Sequence, residues 1–246
     1  MSSTTHPGNI QASYIQLSNI SQSFALNNTK VTLFEQLNLT IKQGQSYAIM
    51  GPSGAGKSSL LMLMSGLEQP SSGRGVYVKG DLKNKHESSL ETLRPDIGFI
   101  FQQFHLLPEL TALNNVALPL KLRGDKKAIN KAKVMLEKVG LQDRINHNPN
   151  ELSGGEQQRV AIARALVFEP RFIFADEPTG NLDEKSAREI ANILLNCCKD
   201  SNAALIMVTH SQVLANKAEH VYHLSHNGLI KVKGNNCDVL PVELAC

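Results

Sequence analysis

The sequence predicts an α/β fold. It reads as a core of mostly parallel sheet with helices, an N-terminal antiparallel β subdomain and an inserted α-helical subdomain. Three observations carry this reading. Apolar runs and helical periodicity alternate as strand, helix, strand through residues 172–175, Glu184–Asp200 and Ala204–Val208, the spacing of a right-handed crossover between parallel strands. A glycine-rich loop at residues 51–58 follows a short apolar run and opens a helical pattern. Residues 88–167 are dominated by helical periodicity and lie between the two halves of the α/β pattern.

In chain order, residues 1–13 form a polar lead that lacks the charged-then-apolar layout of a secretory signal. Residues 14–20 and 31–41 alternate apolar and polar positions with Asn and Gln breaks, as antiparallel strands do. Gly44 marks a turn, and residues 47–50 form a buried-type run. From Lys57 the period becomes helical, with Leu60, Leu61, Met64 and Leu67 on one face, ending near Gly66 and Pro70. Gly73, Gly75 and Gly80 punctuate a strand pair around residues 76–78. Within 88–167, Leu118-Pro119 and Gly124 predict breaks, while Ala128, Ala132, Met135, Leu136 and Val139 mark a helix over 127–139. Residues 172–175 are continuously apolar, which suits a strand buried on both faces. In the next helix Ala187, Ile190, Ala191 and Leu194 share a face. The main domain is expected over 14–234, with a tail at 235–246.

Composition narrows the function classes. The chain has 246 residues, 41% of them apolar, and a formal net charge of +3. No Lys/Arg run argues for a nucleic-acid groove. No stretch approaches the roughly 18 uninterrupted apolar residues of a membrane span. Cys197, Cys198, Cys237 and Cys246 show no Cys-x-x-Cys spacing, so metal and redox roles are not expected. A cytosolic protein fits this usage.

Three segments carry chemistry. Gly51, Pro52, Ser53, Gly54, Ala55, Gly56, Lys57 and Ser58, followed by Ser59, sit between a predicted strand and a predicted helix, the context of a phosphate-binding P-loop. Its glycines let backbone N–H groups turn inward, and the helix start adds positive potential. Lys57 supplies a cation for the outer phosphates, and the Ser58 hydroxyl can ligate Mg²⁺. Asp176 and Glu177 emerge at the C-terminal end of the 172–175 strand, where open parallel sheets place ligands. Asp176 is expected to hold Mg²⁺, and Glu177 to orient or deprotonate an attacking water. Ser153, Gly154, Gly155 and Glu156 match a capping box. Capping does not require two glycines, so Gly154 and Gly155 leave a helix start open to an outside anion. A second anion-ready helix start predicts contact with a nucleotide held by another molecule.

On these residues the chain resembles the ATP-binding subunits of ABC transporters over nearly its whole length. Residues 51–58 look like Walker A, 152–157 the signature, 172–177 Walker B with its catalytic glutamate, and Asn181-Leu182-Asp183 the D-loop. The resemblance implies that Gln102 is the Q-loop glutamine that approaches Mg²⁺. It makes His210 the switch histidine at the γ-phosphate, Phe24 the aromatic that stacks on adenine, and Asp183 part of the nucleotide interface. Glu177, His210 and Lys57 become the catalytic set. Within the family, residues 104–112 and 176–183 look closest to the lipoprotein-releasing and macrolide-exporter group. Ser211 stands where that group commonly carries Asp, and Phe24 where Tyr is more frequent. The implied function is ATP hydrolysis by a homodimer around two ATP. Such a dimer drives a separate permease at the cytoplasmic face of the inner membrane. The alternative is an ATPase that gates an envelope complex mechanically without moving a solute.

Overall fold

The computed structural model describes residues 12–26, 29–80, 85–225 and 228–234. Most of the polar lead and the whole 235–246 tail, with Cys237 and Cys246, lie outside them.

Two sheets form the frame. The first is antiparallel: β1 (Tyr14–Leu26) pairs with β2 (Thr29–Lys42) and, on its other edge, with β4 (Ser72–Gly80), which pairs with β5 (Lys85–Ser89). The second runs β10-β9-β3-β8-β7-β6. In it β3 (Ser46–Met50), β6 (Ile97–Ile100), β7 (Phe172–Asp176), β8 (Ala204–Val208) and β9 (His220–Ser225) pair in parallel. Strand β10 (Gly228–Lys233) closes one edge antiparallel to β9.

The continuous apolar runs of β3, β7 and β8 follow from burial on both faces. Phe172 and Phe174 point into the core shared with the antiparallel sheet and helix α1 (Lys57–Met64), whereas Ile173 and Ala175 point into a second core under the remaining helices. Tyr47 and Ile49 against Ala48, and Ile206 against Leu205 and Met207, divide the same way. Helix α1 is thus held between the two sheets by Leu60, Leu61, Leu63 and Met64, all fully buried. This fixes the loop at its N-terminal end against the C-terminal edge of the parallel sheet.

The helical layer contains α2 (Ala112–Leu122), α3 (Ala128–Lys138) and α4 (Gly154–Leu166), packed on one another, and α5 (Glu184–Asp200) beside α4. It begins later than the expected 88–167. Residues 88–89 end β5, and Ile97–Ile100 is the edge strand of the parallel sheet. A four-residue run is too short to show a period, and its partner β7 lies far along the chain. Gly98 permits the close approach of α4, since a Cβ there would stand 2.3 Å from the Ala165 carbonyl oxygen. Pro119 does not break α2. It lies inside the helix, and burial of Val116, Ala117 and Leu120 against the helical core outweighs the hydrogen bond that proline removes. Leu67 is exposed because α1 stops at Met64 and Gly66 turns the chain through a left-handed φ of 70°.

Candidate active site

Helix α1 starts at Lys57 immediately after the glycine-rich loop. Gly51, Gly54 and Gly56 hold φ of 151°, 79° and 87°, conformations that side chains rarely adopt. Two of these glycines also answer to the fold. A Cβ on Gly51 would stand 2.2 Å from the Leu224 carbonyl oxygen, and one on Gly56 3.0 Å from the Leu33 Cβ. Gly54 differs, because a Cβ there would meet nothing within 4 Å. That space faces outward, and Pro52, Ser53 and Gly54 are exposed. Ala55 is buried beneath the loop, and Ser59 sits in the first turn of α1.

Lys57, Ser58, Asp176, Glu177 and His210 come together at this loop. Lys57 is buried and curls back, its Nζ donating to the carbonyl oxygens of Gly51 at 3.0 Å and Pro52 at 2.9 Å. Its Nζ also lies 3.2 Å from His210 Nε2. The Ser58 hydroxyl donates to Asp176 Oδ1 at 3.2 Å. Glu177 Oε2 accepts from the His210 backbone N–H at 3.2 Å. Its Oε1 is buried without a hydrogen-bond partner among the described residues, 3.5 Å from His210 Nε2. His210 Nε2 therefore sits between a cation and a carboxylate. Glu177 itself is left-handed, with φ 45°.

The set suits a magnesium–phosphate ligand. Two hard oxygen donors, Ser58 Oγ and Asp176 Oδ1, already face each other, the ligand type Mg²⁺ prefers. The orphaned Glu177 Oε1 offers a buried acceptor, the requirement for ordering or deprotonating a water.

Among the described residues, no hydrogen bond or ion pair joins the other predicted residues to this cluster. Gln102 donates from Nε2 to Asn181 Oδ1 at 3.1 Å, and its backbone carbonyl accepts from Asn181 Nδ2 at 3.0 Å, so its amide is engaged by the 181–183 loop rather than by Ser58 or Asp176. Phe24 is 45% exposed on β1, opposite Val31 of β2, the strand whose Leu33 and Phe34 border Gly56. Asp183 caps α5, accepting from Ser186 N–H at 3.0 Å, and hydrogen bonds from Ser186 hold its carboxyl below the usual carboxylate range.

Ser153 caps α4 in a closed capping box with Glu156. The Glu156 carboxylate also takes Arg144 at 3.1 Å, and hydrogen bonding from Ser153, then from Arg144, lowers its pKa. Glu156 therefore acts on its own helix start. Among the described residues no hydrogen bond or ion pair links 153–156 to 51–59. Gly154 and Gly155 have no positive φ. A Cβ on either would find only ordinary contacts, at 3.5 Å to Leu182 and 3.6 Å to Ser186. The folded chain alone does not require glycine at these two positions.

Residues 34–180 match the family model described as ABC transporter. The chain belongs to the ABC transporter family. It is 42% identical over 217 residues to the lipoprotein-releasing system ATP-binding protein LolD of Rickettsia bellii, covering 87% of this chain and 96% of that one. It is 44% identical over 218 residues to the macrolide export ATP-binding/permease protein MacB of Bdellovibrio bacteriovorus, covering 88% of this chain but 33% of that larger protein. The ATP-binding cassette MJ0796, solved as a dimer in a post-hydrolysis state with ADP and Pi, superposes with a TM-score of 0.75 at 35% identity, covering 90% of this chain and 100% of that one. The chain is an ATP-binding subunit of this family with ATP hydrolysis as its reaction. Among the described residues no helix is long and apolar enough to cross a membrane.

Sequence reasoning missed three supports of the site. Asn181 locks Gln102 in both directions. Arg164, whose guanidinium is lowered in pKa by burial, donates to the carbonyls of Phe104 at 2.9 Å and His105 at 2.6 Å, fixing two left-handed residues after the Q-loop. Gln158 reaches from α4 to Pro178. None carries a sequence period, and each matters only through a partner distant in the chain. Ser211, the departure from the family pattern, caps α6 (Gln212–Ala215) by accepting from Leu214 N–H, a role Ser and Asp fill about equally well.

Proposed function

We propose that two copies of this chain close head-to-tail around two ATP. Each nucleotide would be held by the Walker A loop of one copy and the α4 start of the other. One observation supports this above the rest. Gly154 and Gly155 leave the positive end of a capped helix bare although no described residue crowds them into being glycine. An external anion supplies the missing reason. Phe24 would stack on adenine, with Lys57 at the outer phosphates. Ser58 and Asp176 would hold Mg²⁺, with Gln102 completing the set once released from Asn181. When bound, the ion neutralises charge building on the phosphate oxygens. Glu177 takes the proton of the attacking water, and His210 donates toward the γ-phosphate.

Closure is the useful output, because it pulls on whatever is attached. Here that is a separate membrane permease, which would hold the chain at the cytoplasmic face of the membrane. The identity to lipoprotein-releasing and macrolide-export proteins supports an export or lipoprotein-release system. Gly155→Leu tests the clamp. ATP affinity of the single copy should persist, while nucleotide-driven self-association disappears. Self-association that survives the bulky side chain contradicts the reading.

A further inference from the structure

Gln158 lies in α4, five residues beyond the Ser153 cap. It is 0% exposed, and its Nε2 donates to the Pro178 carbonyl at 2.7 Å. Its Oε1 has no hydrogen-bond partner among the described residues. A buried acceptor left unpaired costs about 1–3 kcal/mol. An apolar side chain of the same shape would avoid that cost but would take the donor from the Pro178 carbonyl, so the amide is kept for that one bond.

The other end of the bond gives the explanation. Pro178 follows Glu177, the left-handed residue at the base position. The Glu177 turn is held at three points. Its N–H donates to the Val208 carbonyl at 3.0 Å, its carbonyl accepts from Gly180 N–H at 3.0 Å, and Gln158 grips the next carbonyl. The first bond comes from the sheet and the second from the turn itself. Gln158 is the one that arrives from the signature helix.

We propose that Gln158 is a positioning residue for Glu177, coupling the anion-ready start of α4 to the chain's own catalytic carboxylate. The inference rests on the paired arrangement proposed above. A helix moves as a rod, so a shift at Gly154 and Gly155 on meeting the partner copy's γ-phosphate moves Gln158 and, through its amide, Pro178. Each copy's base is then set only when the other copy's nucleotide is docked. The two hydrolysis events become coupled without contact between the two ATP molecules.

Two variants test this in the full chain. Gln158→Met removes the donor and the orphan acceptor together. Gln158→Asn keeps the amide but withdraws it by one methylene, and carries the same test should the Met variant fail to fold. The proposal expects kcat for ATP hydrolysis to fall roughly ten- to hundredfold, the scale of a slightly misplaced catalytic group. ATP affinity should stay at the parental value, any fall in Tm should be too small to account for the loss of kcat, and cooperativity in ATP should be lost. In a Glu177→Gln background, ATP-driven dimerisation should survive the change at Gln158, because positioning of the base follows closure. Unchanged kcat in a folded variant overturns the proposal, as does a kcat that falls only in step with Tm. Failure of the Glu177→Gln chain to dimerise with Gln158 intact would instead count against the paired arrangement.

Discussion

Replacing Glu177 by Gln removes one capability and little else. The side chains are the same shape. Oε2 accepts the His210 backbone N–H at 3.2 Å, and the amide oxygen can keep that bond. The atom that changes is Oε1, buried, without a hydrogen bond among the described residues and 3.5 Å from His210 Nε2. As a carboxylate oxygen it can take a proton from water, whereas the amide nitrogen that replaces it can only donate. A positioned general base contributes about 10²–10⁴-fold, or about 3–5 kcal/mol of barrier. Turnover should fall by that factor while ATP affinity is retained, since Lys57, Ser58 and Asp176 are untouched. Phosphate release under saturating Mg-ATP measures the first quantity and equilibrium titration the second. Turnover within a few-fold of the parent would remove Glu177 from the base role. A parallel loss of affinity would show that the carboxylate holds the loop together rather than acting on water.

Other outcomes follow from the same geometry. Phe24→Ala should lose about 1–3 kcal/mol of ATP affinity, the scale of base–aromatic stacking, with folding intact because the residue lies outside the buried core, 45% exposed. Unchanged affinity in a titration assigns the stacking elsewhere. Tyr77 is buried, and burial first, then the Asp96 carboxylate that accepts its hydroxyl at 3.0 Å, push its pKa up to about 12. The unfolded phenol ionises from about pH 10. The unfolded chain therefore releases this proton first, and the contribution is whole below pH 10 and lost as pH rises toward 12. The loss is about 2–3 kcal/mol, and urea unfolding of Tyr77→Phe across that window should show it missing.

The local parts of the site were legible because each is a short segment whose chemistry is written in adjacent residues. The P-loop, the Asp176-Glu177 strand end and the capped helix at Ser153 sit where the sequence places them, and the structure brings Lys57, Ser58, Asp176, Glu177 and His210 together. What failed was non-local. Ile97–Ile100 reads as part of a helical region until β7 pairs with it. Strands β5, β9 and β10 are recognisable only beside their partners. Pro119 looks like a break until the packing around α2 is known. Gln102, Asn181 and Gln158 are amides whose value depends wholly on what they face. Pattern cannot report that, because an exposed glutamine and a buried strut are spelled alike.

The central claim is that ATP is gripped between opposite ends of two identical chains. The most direct measurement is the solution mass of the Glu177→Gln chain, by light scattering, with and without saturating Mg-ATP. The chain should be a monomer that doubles in mass on adding nucleotide and reverts when the nucleotide is removed. A chain that stays monomeric with saturating Mg-ATP, alone and beside the proposed permease, contradicts the claim.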